Sequence, residues 1–294
     1  MAVETTTFSN NSADTWFRDI MFDCVLCPRA CHVNRLAGQT GYCGQTAELM
    51  AARASLHYWE EPCISGTSGS GTVFFSGCNL RCVFCQNHNI ALGKAGRVIA
   101  PEHLAEIFLQ LQEQGANNIN LVTPTHFLPQ IVIALEQAKQ QGLHLPIVYN
   151  TGSYESPEAL RHLEGLVDIY LPDLKYFSPE LSTAYSHAPD YFETACAAIS
   201  EMYRQVGDPV IDEDTGLMQH GMIVRHLLLP GQTKDSKKIL RYLHETYGDH
   251  IYISIMNQYT PLPQVADIEV LNRTVTPEEY DRVLRFAERI GIER

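Results

Sequence analysis

The sequence has few basic residues, and this scarcity excludes one broad class of partner. Its 21 lysines and arginines stand against 34 aspartates and glutamates, so the formal net charge is −13. Proteins that bind a nucleic-acid backbone usually carry a basic face. We therefore expect no nucleic-acid partner and interpret the acidity as a solvated surface.

Long apolar runs and an export signal are also missing. No run approaches the length needed to cross a bilayer, so we expect no membrane association. Residues 1–16 are rich in Thr, Ser and Asn and lack a basic start followed by an apolar core, which predicts no secretory signal and a cytoplasmic location. Because the cytosol keeps thiols reduced, we expect the nine cysteines to be metal ligands or redox groups rather than disulfides.

Three of these cysteines share one short loop. Cys78, Cys82 and Cys85 have the spacing C-x3-C-x2-C between a β-branched and aromatic run, 72–75, and a polar run, 86–89. This pattern predicts a loop at the end of a strand. Thiolates select zinc, copper(I) or iron-sulfur centres, and three ligands leave one iron of a four-iron cluster open to another molecule. The alternatives are three buried cysteines or half of a zinc site.

A second group of cysteines lies nearer the start of the chain. Cys24, Cys27 and Cys31 have the spacing C-x2-C-x3-C, and Cys43 follows after eleven intervening residues. Because this glycine- and proline-punctuated segment is too short for a core of its own, we expect a metal-stapled knuckle that holds zinc or a second cluster. Reduced structural thiols are the alternative. Cys63 belongs to neither group, and we expect it to be packed.

The remainder of the chain alternates between predicted strands and predicted helices. Six such pairs predict an α/β fold, a partial (β/α)6 barrel of parallel strands with an N-terminal cysteine-rich extension. Apolar periodicity, Pro near helix starts and Gly past helix ends set the boundaries. The predicted strands are 72–75, 118–122, 145–149, 167–171, 222–229 and 251–255, and the predicted helices are 101–114, 129–141, 157–163, 192–206, 237–247 and 277–289.

The domain organisation follows from the same pattern. We expect a lead-in and cysteine-rich module over 1–70 and the barrel over 71–294. Few apolar residues occur before Trp16, so residues 1 to about 20 are predicted to be disordered or loosely docked. Two helix caps are also predicted, Asp235 for the helix at 237–247 and Thr276 for the last helix.

Polar and charged residues follow the predicted strands. The carboxyl ends of parallel strands gather the reacting groups of α/β folds, so we expect these residues to surround one mouth together with the cysteine loop. They are Thr123, Pro124, Thr125, His126, Asn150, Thr151, Asp173, Lys175, Arg225 and Asn257.

The cysteine loop, with Phe84 just before its third cysteine, resembles that of the radical S-adenosylmethionine (SAM) superfamily. The loop, the strand-helix pairs, the Asp-Leu-Lys of 173–175 and the run 224–231 resemble the activating enzymes of glycyl radical enzymes such as pyruvate formate-lyase. The segments 24–31, 61–66 and 76–82 resemble the PflX-type branch of that family. The resemblance extends from about residue 20 to the end.

This resemblance implies a function and its cofactors. Cys78, Cys82 and Cys85 would bind a 4Fe-4S cluster whose open iron is chelated by S-adenosyl-L-methionine. Reductive cleavage of that molecule would yield a 5′-deoxyadenosyl radical that abstracts hydrogen, from a glycyl radical protein in this family. A flavodoxin- or ferredoxin-like reducing partner and a protein or small-molecule substrate are implied. The alternative is an iron-sulfur or metal-binding regulatory protein with the same fold but no turnover.

The resemblance also implies individual contacts to S-adenosylmethionine. Phe84 would support the adenine, while Lys175 and Arg225 would meet the methionine carboxylate. Structural ion pairs, rim charges and strand-end caps are the alternatives. One departure concerns the methionine amino group, which a Gly-Gly-Glu motif commonly holds where this chain has Thr-Pro-Thr-His. The remaining implied contacts, to the amino or ribose groups, are Thr123, Asn150, Thr151 and Asp173.

Overall fold

Six parallel strands form the centre of the protein. The computed structural model describes residues 12–292. Within that range the parallel strands pair in chain order and helices cover one face of their sheet, which confirms the predicted fold class. The strands are β2 (Ser70–Phe75), β4 (Ile119–Val122), β5 (Ile147–Thr151), β6 (Ile169–Pro172), β8 (Met218–Leu227) and β9 (Tyr252–Met256).

Three antiparallel strands extend this sheet and were not predicted. The strand β1 (Met50–His57) pairs with β2, β3 (Arg97–Val98) pairs with β1, and β7 (Val210–Ile211) pairs with β8. Alanine, arginine and serine dominate β1, so it lacks the β-branched signal of a strand. The domain boundary near residue 70 stays a prediction. The pairing of β1 with β2 joins residues on its two sides.

Most of the helices lie where the sequence predicts them, from a proline near the helix start and from apolar periodicity. Four helices had no prediction: α1 (Ser12–Phe22), the single turns α2 (Pro62–Ser65) and α3 (His88–Ala91), and α7 (Pro179–Ser186). No helix within residues 12–292 combines the length and the apolar character needed to cross a membrane. The helices are α1 (Ser12–Phe22), α2 (Pro62–Ser65), α3 (His88–Ala91), α4 (Pro101–Glu113), α5 (Leu128–Gln140), α6 (Pro157–Leu160), α7 (Pro179–Ser186), α8 (Tyr191–Val206), α9 (Thr233–Tyr247) and α10 (Pro277–Ile290).

The helix α1 corrects the predicted lead-in. The chain is helical from Ser12, and Met21 is fully buried in the main core. The ring of Trp16 stacks on the ring of His162 with centroids 3.7 Å apart. The prediction of a loosely docked segment was wrong for residues 12–20, because apolar side chains of α1 join the main core. The rest of that prediction, residues 1–11, lies outside the described residues.

One of the two predicted caps is confirmed. Thr276 caps α10 in a capping box with Glu279. The Asp235 prediction was wrong, because α9 begins at Thr233 and places Asp235 inside its first turn. The Asp235 carboxylate instead accepts the backbone N–H groups of Phe177 and Ser178, each at 2.9 Å, just before α7.

The inner face of the sheet is filled by the segment that precedes β2. Ile64 of α2 packs there against Val148, Leu171 and Ile223, while the main core lies between the other face and the helices. The side-chain amide of Asn118 donates to the Ile64 carbonyl at 2.7 Å and holds α2 in place. The residues just before α2 therefore reach the carboxyl ends of the strands.

Candidate active site at the carboxyl ends of the strands

The cysteine loop leaves β2 at the carboxyl edge of the sheet. Gly77 begins it with φ of +90°, a conformation that favours glycine. The Leu80 N–H donates to Cys78 Sγ at 3.3 Å, and Ser186 of α7 donates to Cys82 Sγ at 3.0 Å. Two of the three sulfurs therefore already accept hydrogen bonds, which tune the potential of an iron-sulfur centre.

The three sulfur donors fit a four-iron cluster. Burial raises the pKa of Cys78 and raises that of Cys85 to about 12, and the neighbouring Cys82 adds to both shifts. Within the described part of the chain, no three His, Cys, Asp or Glu side chains are placed to hold one metal ion. A four-iron cluster attaches each cysteine to a different iron, so its ligand sulfurs need not converge on one point.

A network of four charged groups and one amide lies beside this loop. Asp173 accepts from Lys175 Nζ at 2.6 Å and from Arg225 Nε at 2.8 Å. The same guanidinium donates to Glu60 Oε2 at 3.0 Å and to the amide oxygen of Asn150 at 2.8 Å. The structure thus brings together four of the predicted residues and adds Glu60, whose charge makes the network neutral.

The charges of the network hold each other ionised despite burial. Burial acts to raise the pKa of Asp173, but Arg225 and Lys175 outweigh it and keep that pKa below its usual value. Burial likewise acts to lower the pKa of Lys175, and Asp173 reverses the effect. All five side chains are hydrogen bonded to one another, which fixes their relative positions.

Thr151 faces away from this network. Its hydroxyl donates to Glu155, which is fully buried and also accepts from Thr125 at 2.6 Å and Tyr149 at 3.3 Å. Successive strand residues point to opposite faces, so Asn150 and Thr151 separate. Burial raises the pKa of Glu155 to about 7, against the effect of these hydrogen bonds. The predicted S-adenosylmethionine contact of Thr151 stays a prediction.

The Thr-Pro-Thr-His stretch divides between two locations. Thr123 has a positive φ of 56°, and its N–H donates to the Asn150 carbonyl at 2.9 Å. His126 is buried, and its Nε2 donates to the Ser76 carbonyl at 2.6 Å, under the cysteine loop. Burial lowers the pKa of His126 to about 3, so its ring is neutral. The stretch therefore places Thr123 beside the network and uses His126 to support the loop.

Phe84 lies in an aromatic cluster over the other side of the loop. Its ring makes edge contacts with Tyr176, Tyr185 and Tyr259 at centroid distances of 6.4, 6.4 and 6.1 Å. The predicted Asn257 lines a cavity of about 200 Å³ next to Glu60. Tyr259, which contacts Phe84, follows Asn257 by two residues.

Glu60 and Glu155 are the site residues that sequence reasoning missed. Glu60 contacts Arg225 across a separation of 165 residues, which no local pattern shows. The only feature of the sequence that points to Glu60 is the acidic pair Glu60 and Glu61 just before a short apolar turn. Glu155 follows Asn150 in a run of polar residues after a strand, but a polar run there also suits an ordinary loop.

The chain belongs to the radical SAM superfamily. The sequence model of that superfamily matches residues 72–243, more than half of the chain. Membership implies S-adenosylmethionine and a 4Fe-4S cluster as cofactors and confirms the resemblance at the level of the superfamily.

Similarity to individual proteins identifies no particular family within the superfamily. An uncharacterised protein of Methanocaldococcus jannaschii, MJ0674, is 27% identical over 286 residues, which cover 94% of this chain and 77% of that protein. The pyruvate formate-lyase-activating enzyme of Clostridium pasteurianum is 29% identical over 121 residues, or 38% of this chain and 48% of that enzyme.

Solved structures agree on the fold. Native anSMEcpe with bound AdoMet matches with a TM-score of 0.50 at 14% identity, over 73% of this chain. Methylornithine synthase (PylB) matches with a TM-score of 0.50 at 14% identity, over 72% of this chain. The chain spans 57% and 59% of the lengths of these two proteins, and at such identities the likeness concerns the fold.

Proposed function

We propose that this protein is an enzyme that reductively cleaves S-adenosylmethionine and abstracts hydrogen from a substrate. Cys78, Cys82 and Cys85 bind the 4Fe-4S cluster and leave one iron open. When bound, the cluster and S-adenosylmethionine supply a 5′-deoxyadenosyl radical. One observation carries the proposal: a preorganised, neutral network of charged groups lies directly beside the cysteine loop.

The contact between loop and network runs through Gly152. A Cβ at this position would lie 2.8 Å from Leu80 Cδ1 and 3.4 Å from Lys175 Cε. The absence of a side chain at Gly152 thus lets the cysteine loop and the Lys175 stem approach each other closely. An amino acid end group bound to the open iron would meet the network at this point.

The network offers both signs of charge to the methionine end of S-adenosylmethionine. Lys175 and Arg225 donate to its carboxylate, and Asp173 accepts from its amino group. Asn150 contributes amide hydrogen bonds. Glu60 supplies a further carboxylate on this face, where the family commonly uses the Glu of Gly-Gly-Glu.

The remaining residues orient the cofactor and exclude water. Phe84 and its three tyrosine neighbours form an apolar wall against which the adenine packs. Thr123 contributes a hydroxyl beside Asn150. A dry site protects a reactive radical from side reactions.

The proposed test is anaerobic reconstitution with iron and sulfide, then chemical reduction and an assay for 5′-deoxyadenosine after S-adenosylmethionine is added. We expect product from the wild type and none from Cys82→Ala, which loses a cluster ligand. Cys196→Ala, on α8 and outside both cysteine groups, is the matched control and should retain activity. A wild type loaded with cluster that forms no 5′-deoxyadenosine would overturn the proposal in favour of a regulatory protein without turnover.

Within this class, we propose a protein glycine as the hydrogen donor. The partial similarity to a pyruvate formate-lyase-activating enzyme and the sequence resemblance described above support it. A flavodoxin- or ferredoxin-like protein would supply the electron. Deuterated glycine in a candidate protein should pass its label to 5′-deoxyadenosine and leave a glycyl radical. Label transfer from a deuterated metabolite instead would contradict a protein substrate.

A further inference from the structure

The four N-terminal cysteines come together in the folded chain. Cys24 and Cys43 are each only 8% exposed. The Ala30 N–H donates to the Cys27 carbonyl at 3.0 Å, which turns the chain between Cys27 and Cys31. Cys31 Sγ accepts the Tyr42 N–H at 3.3 Å, one residue before Cys43. All four thiols therefore belong to one cluster of side chains.

Tight backbone geometry builds this cluster. The Cys24 N–H donates to the Val33 carbonyl at 3.2 Å, and the His32 N–H donates back to the Cys24 carbonyl at 3.1 Å. A Cβ on Gly41 would lie 2.7 Å from Cys31 Sγ, so glycine is needed for the approach. Ordinary surface thiols require no such arrangement.

Three arginines surround the cluster without a matching negative charge. Arg35 is 1% exposed, and its guanidinium donates to the carbonyls of Thr46 and His126. Arg29 also donates to carbonyls, and Arg81 has a buried Nε with no partner. None of these guanidinium groups lies within ion-pair distance of a carboxylate that the structure describes.

Arg35 is the buried one of the three, and a buried positive charge without a counter-charge is costly, so an anion belongs beside it. The thiols themselves are the source, because metal binding deprotonates cysteine. A centre with four thiolate ligands carries net negative charge and would balance the arginines.

We propose that Cys24, Cys27, Cys31 and Cys43 bind a second 4Fe-4S cluster. Zinc requires four sulfurs at about 2.3 Å from one point. No three ligand-type side chains within residues 12–292 converge in this way. The same is true of Cys78, Cys82 and Cys85, the cysteines of the radical SAM loop, and in a four-iron cluster each cysteine binds its own iron.

The second cluster would staple the N-terminal segment onto the cysteine loop of the barrel. Arg29 Nε donates to the Asn79 carbonyl at 2.9 Å, and Tyr42 Oη donates to the Leu80 carbonyl at 3.4 Å. Between Cys24 and Cys43 the regular structure is one short 3-10 helix, Arg35–Ala37. A bound metal centre stabilises such a segment, and the segment in turn supports the loop.

Iron content after anaerobic reconstitution tests this inference directly. The wild type should hold about eight iron atoms per chain and the Cys24→Ala/Cys27→Ala double variant about four. The double variant Cys82→Ala/Cys85→Ala should also hold about four, with an electron paramagnetic resonance (EPR) signal that S-adenosylmethionine leaves unchanged. Cys196→Ala should match the wild type.

Specific results would overturn the inference. They are about four iron atoms in the wild type, unchanged iron in the Cys24→Ala/Cys27→Ala variant, or zinc in place of iron at this site. Because Cys82→Ala/Cys85→Ala leaves the N-terminal segment intact, misfolding of the first variant cannot hide the answer. Formation of 5′-deoxyadenosine is a separate readout, so failure of the proposed activity and failure of the second cluster are distinguishable.

Discussion

Arg225 connects the parts of the candidate site at the residue scale. Its guanidinium reaches Asp173, Glu60 and Asn150, which lie after β6, before α2 and on β5. Each of these contacts joins segments far apart in the chain. A planar guanidinium with five donors in a fixed geometry can serve three partners in different directions at once.

Replacement of Glu60 by Gln should destabilise the protein and weaken S-adenosylmethionine binding. The change leaves Arg225 with one carboxylate in a site where Arg225 and Glu60 are 13% and 10% exposed. Loss of one partner of a buried pair costs about 3 kcal/mol. Urea unfolding and a titration with S-adenosylmethionine measure the two effects.

The matched control for this substitution is Glu61→Gln. The Glu61 carboxylate accepts the Ser254 hydroxyl at 2.8 Å, whereas it is Glu60 that accepts from the Arg225 guanidinium. The control variant should therefore change little in both measurements. Equal effects of the two substitutions would refute the role of Glu60.

Glu155 should make stability depend on pH. Burial raises its pKa to about 7 in the folded chain, whereas an unfolded glutamate titrates near about 4.3. The folded state therefore binds more protons between these values, and the stabilising contribution present below the unfolded pKa is lost as pH rises through 7. The loss is about 4 kcal/mol at most.

The Glu155→Gln variant isolates this effect because glutamine stays neutral. The free energy of unfolding of the wild type, relative to that of the variant, should fall between pH 5 and pH 8, as measured by denaturation at both pH values. A difference that stays constant with pH would mean that Glu155 is ionised throughout.

Elements with a strong local signal were predictable, and long-range placements were not. Pro at the start of α4, Gly after α5 and the Thr276 capping box each act through neighbouring residues, so the sequence predicts them well. The strand β1 depends on pairing with β2, and its own residues favour no strand. The cysteine loop could be predicted from the spacing of its cysteines. The role of Glu60 could not, because it depends on how α2 packs on the inner face of the sheet.

Gly77 is the point where the loop meets the N-terminal segment, and Gly77→Ala should disrupt both. Its Cβ would lie 2.8 Å from the Cys43 carbonyl and 2.6 Å from Gln45 Cγ, at φ of +90°. We expect a destabilisation of about 3 kcal/mol or more and lower iron retention. Urea unfolding and iron analysis measure these effects.

Gly165→Ala separates crowding from backbone strain. Gly165 has φ of +76°, and a Cβ added there would meet no atom within 4 Å, so only strain of about 1 kcal/mol is expected. If both substitutions cost the same and retain the same iron, the close packing of Gly77 against Cys43 has no energetic importance.

At the scale of the whole molecule, the fold places both the N-terminal cysteine group and the charge network against the cysteine loop of the barrel. The parallel strands bring most of the network together, and the segment before β2 adds Glu60 from the inner face of the sheet. The central claim is that the open iron of the cluster at Cys78, Cys82 and Cys85 receives the amino acid end of S-adenosylmethionine.

The most direct test is electron-nuclear double resonance on the reduced protein with S-adenosylmethionine carrying an isotope-labelled amino nitrogen. The Cys24→Ala/Cys27→Ala variant simplifies the spectrum because it retains only the cluster of the barrel. We predict hyperfine coupling between that cluster and the labelled nitrogen. A reduced cluster that shows no coupling at saturating S-adenosylmethionine would contradict the claim.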